Sequence, residues 1–358
     1  MYYALIMAGG IGSRLWPLSR MMRPKQSLKL IGDSTMMEHS VDRIVALFGA
    51  EGIFVVTRSE HVPILAEQAP ELPAANFIVE PEGRGTAPAI GLGAIHLHKQ
   101  DPNAVMAVLT ADHHITKTGY FRQVLAAAAK VAQEGHLVTL GITPSTPSTG
   151  YGYIQQGERI AKIDGFEVFR AARFTEKPDQ QTATEMVGSG RYSWNSGMFI
   201  WRVDRILEEF QRQMPEFYEQ LMTVEAAIGT PDYQAALDAI WPLVAKETID
   251  YGIMERAKDV AVIPVDIGWS DVGSWGSLPP LLEADVQGNY VIGSHLGVDT
   301  SGSLIFEHGS NRLIATIGLQ DMIIIDTDDA VLVCPLDREQ DVKAIVNLLE
   351  AKSDGERL

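Results

Sequence analysis

The sequence is poor in cysteine: Cys334 is the single one in 358 residues. That excludes an intrachain disulfide and a thiolate metal cluster. Because Cys334 ends the apolar run 330–334, it is expected to be a buried structural thiol. Long hydrophobic runs are missing too. No stretch approaches the roughly 20 apolar residues of a membrane span, and the first residues carry no charged segment followed by an apolar one. The expectation is a cytoplasmic protein with no membrane partner. Positive charge is scarce, with 29 Lys and Arg against 46 Asp and Glu and a formal net charge of −17. Such a surface repels nucleic acid and anionic lipid, so neither is an expected partner. A composition of 46% hydrophobic and 21% charged residues is globular and supports a sizeable core.

The few cations are not spread evenly. Arg14, Arg20, Arg23, Lys25 and Lys29 precede Asp33, and no carboxylate side chain stands before it. An acidic protein that binds anions needs such a local concentration.

Short apolar runs at 3–7, 53–57, 77–80, 105–110 and 137–141 alternate with amphipathic stretches at 35–48, 87–99 and 121–134. This rhythm predicts an α/β fold with a doubly wound, mainly parallel mixed sheet. Ligands of such sheets sit beyond the carboxyl ends of the strands, so residues just after Met7, Glu80 and Thr110 are expected to share one cleft. From 145 the runs at 149–155, 166–175 and 198–203 read as antiparallel or mixed strands, and 203–240 is helix-rich. That segment is expected to elaborate the same domain, so residues 1–283 form one unit. Residues 284–358 carry short, closely spaced strands that suit a β-helix-like stack or a meander. A closing helix is expected over 338–351, with a fraying end at 353–358.

The strongest local signal is Met7-Ala-Gly-Gly-Ile-Gly-Ser-Arg-Leu-Trp-Pro-Leu-Ser-Arg20, followed by Arg23-Pro-Lys-Gln26. Glycines directly after a buried strand let backbone N–H groups approach phosphates without Cβ obstruction. The loop is neither the dinucleotide fingerprint nor a Walker A sequence. Arg14 offers a planar fork for phosphate oxygens, and Lys25 a compact positive charge.

This signature resembles that of the sugar-nucleotide pyrophosphorylases. Its longer form, with Trp16, Ser19-Arg20 and Arg23-Pro-Lys-Gln26, is similar to their mannose-1-phosphate guanylyltransferase branch. The resemblance runs on through Glu80-Pro81, Ala111-Asp-His113, Thr149-Gly-Tyr-Gly-Tyr-Ile154, Phe174-Thr-Glu-Lys-Pro178, Trp194-Asn-Ser-Gly-Met-Phe199, Ile249-Asp-Tyr251 and Gly268–Trp275. It implies a Rossmann-like, GT-A-like nucleotidyltransferase fold with the small β-helix-like appendage, in a short form without an isomerase module. It implies transfer of GMP from GTP to mannose 1-phosphate, GDP-mannose and pyrophosphate as products, Mg²⁺ as cofactor, and a homodimer. The same chemistry on another sugar phosphate or nucleotide, or a silent nucleotide-sugar-binding paralogue, stay open.

By the same resemblance Ala8, Gly9, Gly10, Gly12 and Ser13 cradle the nucleotide, with Arg14, Lys25 and Lys177 supplying catalytic charge. Asp112 and Asp271 are the implied metal ligands, since two carboxylates brought to one point suit a hard cation that also takes phosphate oxygens. Gly152, Glu176, Lys177, Asn195 and Asp250 are the implied sugar-phosphate contacts. Glu80 ends a strand in Glu80-Pro-Glu-Gly-Arg-Gly-Thr86. A carboxylate there suits guanine, whose N1–H and N2–H₂ are adjacent donors. Arg84, Gly85 and Thr86 are expected to complete that loop as nucleotide contacts facing the cleft, with Gly85 where the family usually has Asn. His113 and His114 are expected in loop packing or solvent contact, since Mg²⁺ prefers oxygen. Met36, Met37, Trp201, Trp241 and Trp275 are expected in the core.

Overall fold

The computed structural model describes residues 1–309, 311–352 and 357. Its elements run β1 (Tyr2–Met7), α1 (Met36–Phe48), β2 (Ile53–Arg58), α2 (Val62–Gln68), β3 (Phe77–Glu80), α3 (Thr86–Gln100), β4 (Val105–Thr110), β5 (His114–Ile115), α4 (Thr118–Gln133) and β6 (Leu137–Ile142). There follow β7 (Tyr153–Ile163), β8 (Phe166–Thr175), α5 (Gln180–Ser189), β9 (Tyr192–Arg202), α6 (Val203–Gln213), α7 (Pro215–Ala227), α8 (Tyr233–Ile240), β10 (Val260–Val265) and β11 (Trp269–Ser270). The chain then forms β12 (Tyr290–Ile292), β13 (Ser294–Val298), β14 (Leu304–Glu307), β15 (Leu313–Ile317), β16 (Met322–Asp326), β17 (Val331–Pro335) and α9 (Val342–Ala351).

One nine-stranded sheet has the order β3-β2-β1-β4-β9-β6-β10-β8-β7. Its first strands, β3-β2-β1-β4, are all parallel. β9 runs antiparallel between β4 and β6, and β8 antiparallel beside β10. The segment after 145 is thus part of the same sheet. Chain order reverses between β1 and β4, which puts the switch point at Met7 and Thr110.

Alternation along β1 supplies both cores: Ala4 and Ile6 face the layer of α1, α2 and α4, while Tyr3 and Leu5 face that of α3, α6 and α7. A capping box starts α1, with Glu38 N–H donating to Thr35 Oγ1 at 3.2 Å and Thr35 N–H to the Glu38 carboxylate at 2.5 Å. Trp201, Trp241 and Trp275 are fully buried, as are Met36 and Met37.

The C-terminal strands stack as parallel coils, Tyr290 against Leu304 and Leu304 against Ile323, beside the pair β13–β15. That is a β-helix and not a meander; among the described residues of these strands only β17 pairs antiparallel. β13 has no apolar alternation strong enough to be expected. A third core joins this β-helix to the glycine-rich signature: Leu15, Trp16, Leu18 and Leu28 pack with Val272, Trp275, Phe306 and Ile325. The closing helix is shorter than expected, α9 following a 3₁₀ segment over Leu336–Asp341. Apart from Arg357, the expected fraying end lies outside the described residues. Cys334 corrects the buried-thiol expectation: it lies only half-buried on the edge strand β17, where alternate residues face out. No helix among the described residues is long and apolar enough to cross a membrane.

Candidate active site

Two adjoining hollows open at the switch point. One is walled by Gly9, Gly10, Glu80, Gly83, Gly85 and Asp112; the other by Tyr151, Gly152, Glu176, Lys177, Asn195, Asp250 and Asp271. Met7, Thr86, Thr110 and His113 line both, so they form one cleft. The expectation that the chain just after Met7, Glu80 and Thr110 would converge is borne out.

The glycine loop is held from below. Ala8 C=O accepts from Gln26 Nε2 at 2.6 Å and Thr57 Oγ1 at 2.8 Å, and Lys25 N–H donates to Ile11 C=O at 3.0 Å. Gly12 adopts φ 78°, and a Cβ on it would stand 2.6 Å from Lys25 Cβ. Glycine is therefore required there both for backbone conformation and for close approach. Ser13 begins a 3₁₀ turn and Arg14 is exposed on it, and neither lines the cleft.

Lys25 is 5% exposed, and its ammonium donates to Asp112 Oδ2 at 2.9 Å and to Asp271 C=O at 2.5 Å. Lys25 can reach both residues because β5 and β11 form a two-stranded ribbon, Ser270 opposite His114 and Trp269 opposite Ile115. From the other side α1 grips the Asp112 loop, Ser40 Oγ donating to Ala111 C=O and Arg43 to His113 C=O. Burial pushes the Asp112 carboxyl up, but the Lys25 ammonium, His113 and hydrogen bonds outweigh it and hold it below the usual range. Tyr151 donates its hydroxyl to Asp271 Oδ1 at 2.9 Å. His113 is buried against Trp269, whose Nε1–H donates to His113 Nδ1 at 3.0 Å; burial lowers its pKa to about 4, so it packs as a neutral ring. No group of three or more His, Cys, Asp or Glu among the described residues is arranged to hold a metal ion. Two hard carboxylates lining the adjoining hollows of this cleft do fit a cation that completes its shell with substrate oxygens.

On the sugar side, Asn195 Nδ2 donates to Asp250 Oδ1 at 2.7 Å, and Asn195 N–H to Gly152 C=O at 2.8 Å. Burial and the nearby Glu176 raise the Asp250 carboxyl, while Asn195 opposes them. Lys177, largely exposed, pairs with Glu176 at 3.1 Å. Lys177 and Val272 hold positive φ, 43° and 44°. For a β-branched valine beside Asp271 and a lysine before proline, that is strain stored at the cleft.

On the nucleotide side Glu80 is 4% exposed, and its Oε2 is buried with no partner among the described residues. Burial, only partly offset by Arg58 and the Arg84 N–H, raises its pKa to about 7. Thr110 Oγ1 is likewise buried and unpartnered, between the two hollows. Such orphaned atoms mark where a ligand would bond. Arg84 does not point into the cleft; its guanidinium binds the Glu82 carboxylate and Pro242 C=O. Gly85 adopts φ 95°, with Glu247 C=O 2.3 Å from where a Cβ would stand. That crowding explains why this chain carries glycine at 85. Glu247 N–H donates to Arg84 C=O, and Ile249 N–H to Thr86 Oγ1 at 2.9 Å, closing the same strap. Sequence reasoning gave no role to Arg58, Thr110 or Trp269, although Trp269 stands inside the Gly268–Trp275 motif and Arg58 is a charge ending a buried strand.

The model of the family described as Nucleotidyl transferase matches residues 3–287, and that of the MannoseP isomerase/GMP-like beta-helix domain matches residues 293–349. The chain is 40% identical over 99% of its length to a mannose-1-phosphate guanylyltransferase of Escherichia coli K12, covering 74% of that protein. It is 38% identical over 98% of its length to the alginate biosynthesis protein AlgA of Pseudomonas aeruginosa, covering 73% of it. Among solved structures it is similar to one described as mannose-1-phosphate geranyltransferase from Thermus thermophilus, at 33% identity and TM-score 0.87, covering 98% of this chain and 99% of that one. With a family model spanning most of the sequence and relatives at this identity, the chain belongs to the nucleotidyl transferase family of enzymes.

Proposed function

We propose that the protein transfers GMP from GTP to α-D-mannose 1-phosphate, giving GDP-mannose and pyrophosphate. The observation that carries this reading is the single cleft with two differently built halves, joined at Thr110 and flanked by Lys25, Asp112 and Asp271. The names of the relatives matched over nearly the whole of this chain support the choice of substrates. A phosphate oxygen of the sugar phosphate attacks the α-phosphorus; that bond forms as the bond to the bridging oxygen of pyrophosphate breaks. The nucleophile is already anionic near neutral pH, so catalysis is alignment and charge neutralisation.

In this reading Gly9 and Gly10 present backbone to the triphosphate, Ala8, Gly12 and Ser13 hold and flank that loop, and Lys25 bears charge on the transferred phosphate. Arg14 swings onto the leaving group from its exposed turn. Glu80 accepts the guanine edge, while Gly85 and Thr86 shape the base wall and Arg84 braces it. Gly152, Glu176, Asn195 and Asp250 bind the mannose hydroxyls, and Lys177 its phosphate. Nucleotidyltransferases of this family generally use a divalent metal. Asp112 and Asp271 would hold it, Mg²⁺ by our reading, and it would neutralise charge on the phosphates when bound.

We place the domain boundary at 283/284, and the protein in the cytoplasm. The protein is a homodimer in this reading, with β13 and β15 as the paired surface, where Leu296, Val298, Leu313 and Ile317 form an exposed apolar face. The test is pyrophosphate release with GTP, mannose 1-phosphate and Mg²⁺, repeated with ATP, with glucose 1-phosphate and with the metal chelated. Release only with the first pair supports the reading. Release with neither sugar phosphate overturns it.

A further inference from the structure

Arg58 lies outside every motif of the sequence, yet the parallel register of β2 and β3 sets it directly beside Glu80. Its Nη2 donates to Gly9 C=O at 3.2 Å, and its Nη1 pairs with Glu60 at 3.3 Å. Its Nε is buried with no partner among the described residues, as is Glu80 Oε2. The intervening space is tight: a Cβ on Gly9 would stand 2.8 Å from Glu80 Oε1. Arg58 thus sits behind the glycine loop and beside the base-facing carboxylate, close enough to act on its charge without an ion pair that would occupy it.

The charged groups around Glu80 are few. Arg58 ends β2 and Glu60 follows in the next turn; Glu82 and Arg84 come from loop 81–85 and pair with each other. The loop after β1 contributes the uncharged Gly9, and Asp112 and His113 stand on the far wall of the hollow. Burial raises Glu80 most, Arg58 and the Arg84 N–H lower it, and Glu60 raises it slightly.

We propose that Arg58 is a positioning residue for nucleobase selection. It fixes the glycine loop by its bond to Gly9 and keeps the Glu80 carboxylate in the acceptor-only form that a guanine edge needs. The inference rests on the reading that Glu80 accepts the two adjacent donors of guanine. A protonated Glu80 presents a donor of its own and loses half of that complementarity. The folded pKa lies above the ordinary value, so the acceptor form is lost as pH falls through about 7. Preference for guanine over adenine nucleotides then falls with it, and Arg58 sets where.

The experiment is KM and kcat with GTP and ATP from about pH 6 to about pH 9, for the wild type, R58Q, R58K, E60Q and E80Q. In R58Q the loss of GTP preference moves to higher pH, with KM for GTP up about tenfold near pH 7. The pH-dependent part of that rise fades by about pH 9, leaving only a constant factor from the lost bond to Gly9, and KM for mannose 1-phosphate stays within about twofold. R58K, which keeps the charge, stays near wild type. E60Q moves the transition the opposite way, and tests the idea even if R58Q does not fold. An R58Q or E60Q profile displaced equally at every pH, or not displaced at all, overturns the role of Arg58 and leaves base reading by Glu80 standing. An E80Q protein that keeps its GTP-over-ATP preference removes the base reading itself.

Discussion

The two halves of the cleft are built by different means. The nucleotide half is mostly backbone, with glycines after β1, a glycine at the start of α3, and one buried acid ending β3. The sugar half is mostly side chain, with Glu176, Asn195 and Tyr151 carried on or beside strands of the mixed part of the sheet and Asp250 on a helical turn over Asp250–Met254. A triphosphate is a repeated, nearly symmetric anion, and a row of N–H groups suits it whatever the side chains are. A hexose differs from its isomers only in hydroxyl direction, so its recognition needs side chains at fixed angles. The two halves meet at Lys25 and its aspartates, and a third core shared with the β-helix fastens the loops that carry them.

The comparison breaks most visibly at the junction. Lys25→Ala removes the ammonium that joins Asp112 to Asp271, and should lower turnover by about 10²–10³ with both substrates bound. Near-normal kcat in a pyrophosphate-release assay would contradict it. Next in size is the shared support. Phe306→Ala empties a site packed on Trp275 in the third core, and should cost about 3–5 kcal/mol in urea unfolding. KM should then rise for both substrates together, because both the signature loop and the Asp271 turn lean on that core.

Two smaller changes separate the halves. Asn195→Ala takes the side-chain donor from the half-buried Asp250 carboxylate, at about 1 kcal/mol. It should raise KM for mannose 1-phosphate while KM for GTP stays put. Gly85→Asn does the reverse: its Cβ meets Glu247 C=O, and the strain of about 1–3 kcal/mol falls on the nucleotide wall. Equal effects of either variant on both KM values would erase the distinction.

The smallest effect lies outside the cleft. His96, on α3, meets the Tyr233 hydroxyl at 2.8 Å, and burial lowers its pKa to about 4. A depressed histidine stabilises the fold above its unfolded pKa, and that stability is lost as pH falls from about 6.5 toward 4. Near pH 5 the loss should be about 1–2 kcal/mol, absent in His96→Gln, with both KM values unmoved.

Much of this was legible in one dimension. The parallel strands β1 to β4 follow from buried runs of near-uniform apolar residues, and the glycine loop from its composition. Asp112 reads as a strand-end carboxylate. What stayed hidden has a common cause. Strand β9 begins six residues before the expected run because Trp194-Asn-Ser-Gly carries polar site residues and a bulge that mask its period. The ribbon β5–β11 is two residues long on each side, too short for any pattern. Arg84 was read toward the cleft and lies against Pro242, 158 residues away.

The sequence by itself determined the periods, the turns and the inventory of charge, since those depend on neighbours within a few residues. Tertiary structure alone decided which charges meet: Lys25 reaches across 87 and 246 residues to its two aspartates, and Arg58 gains Glu80 only through strand register. An ionisable group takes its chemistry from whatever stands a few ångströms away, and no local spacing encodes that distance.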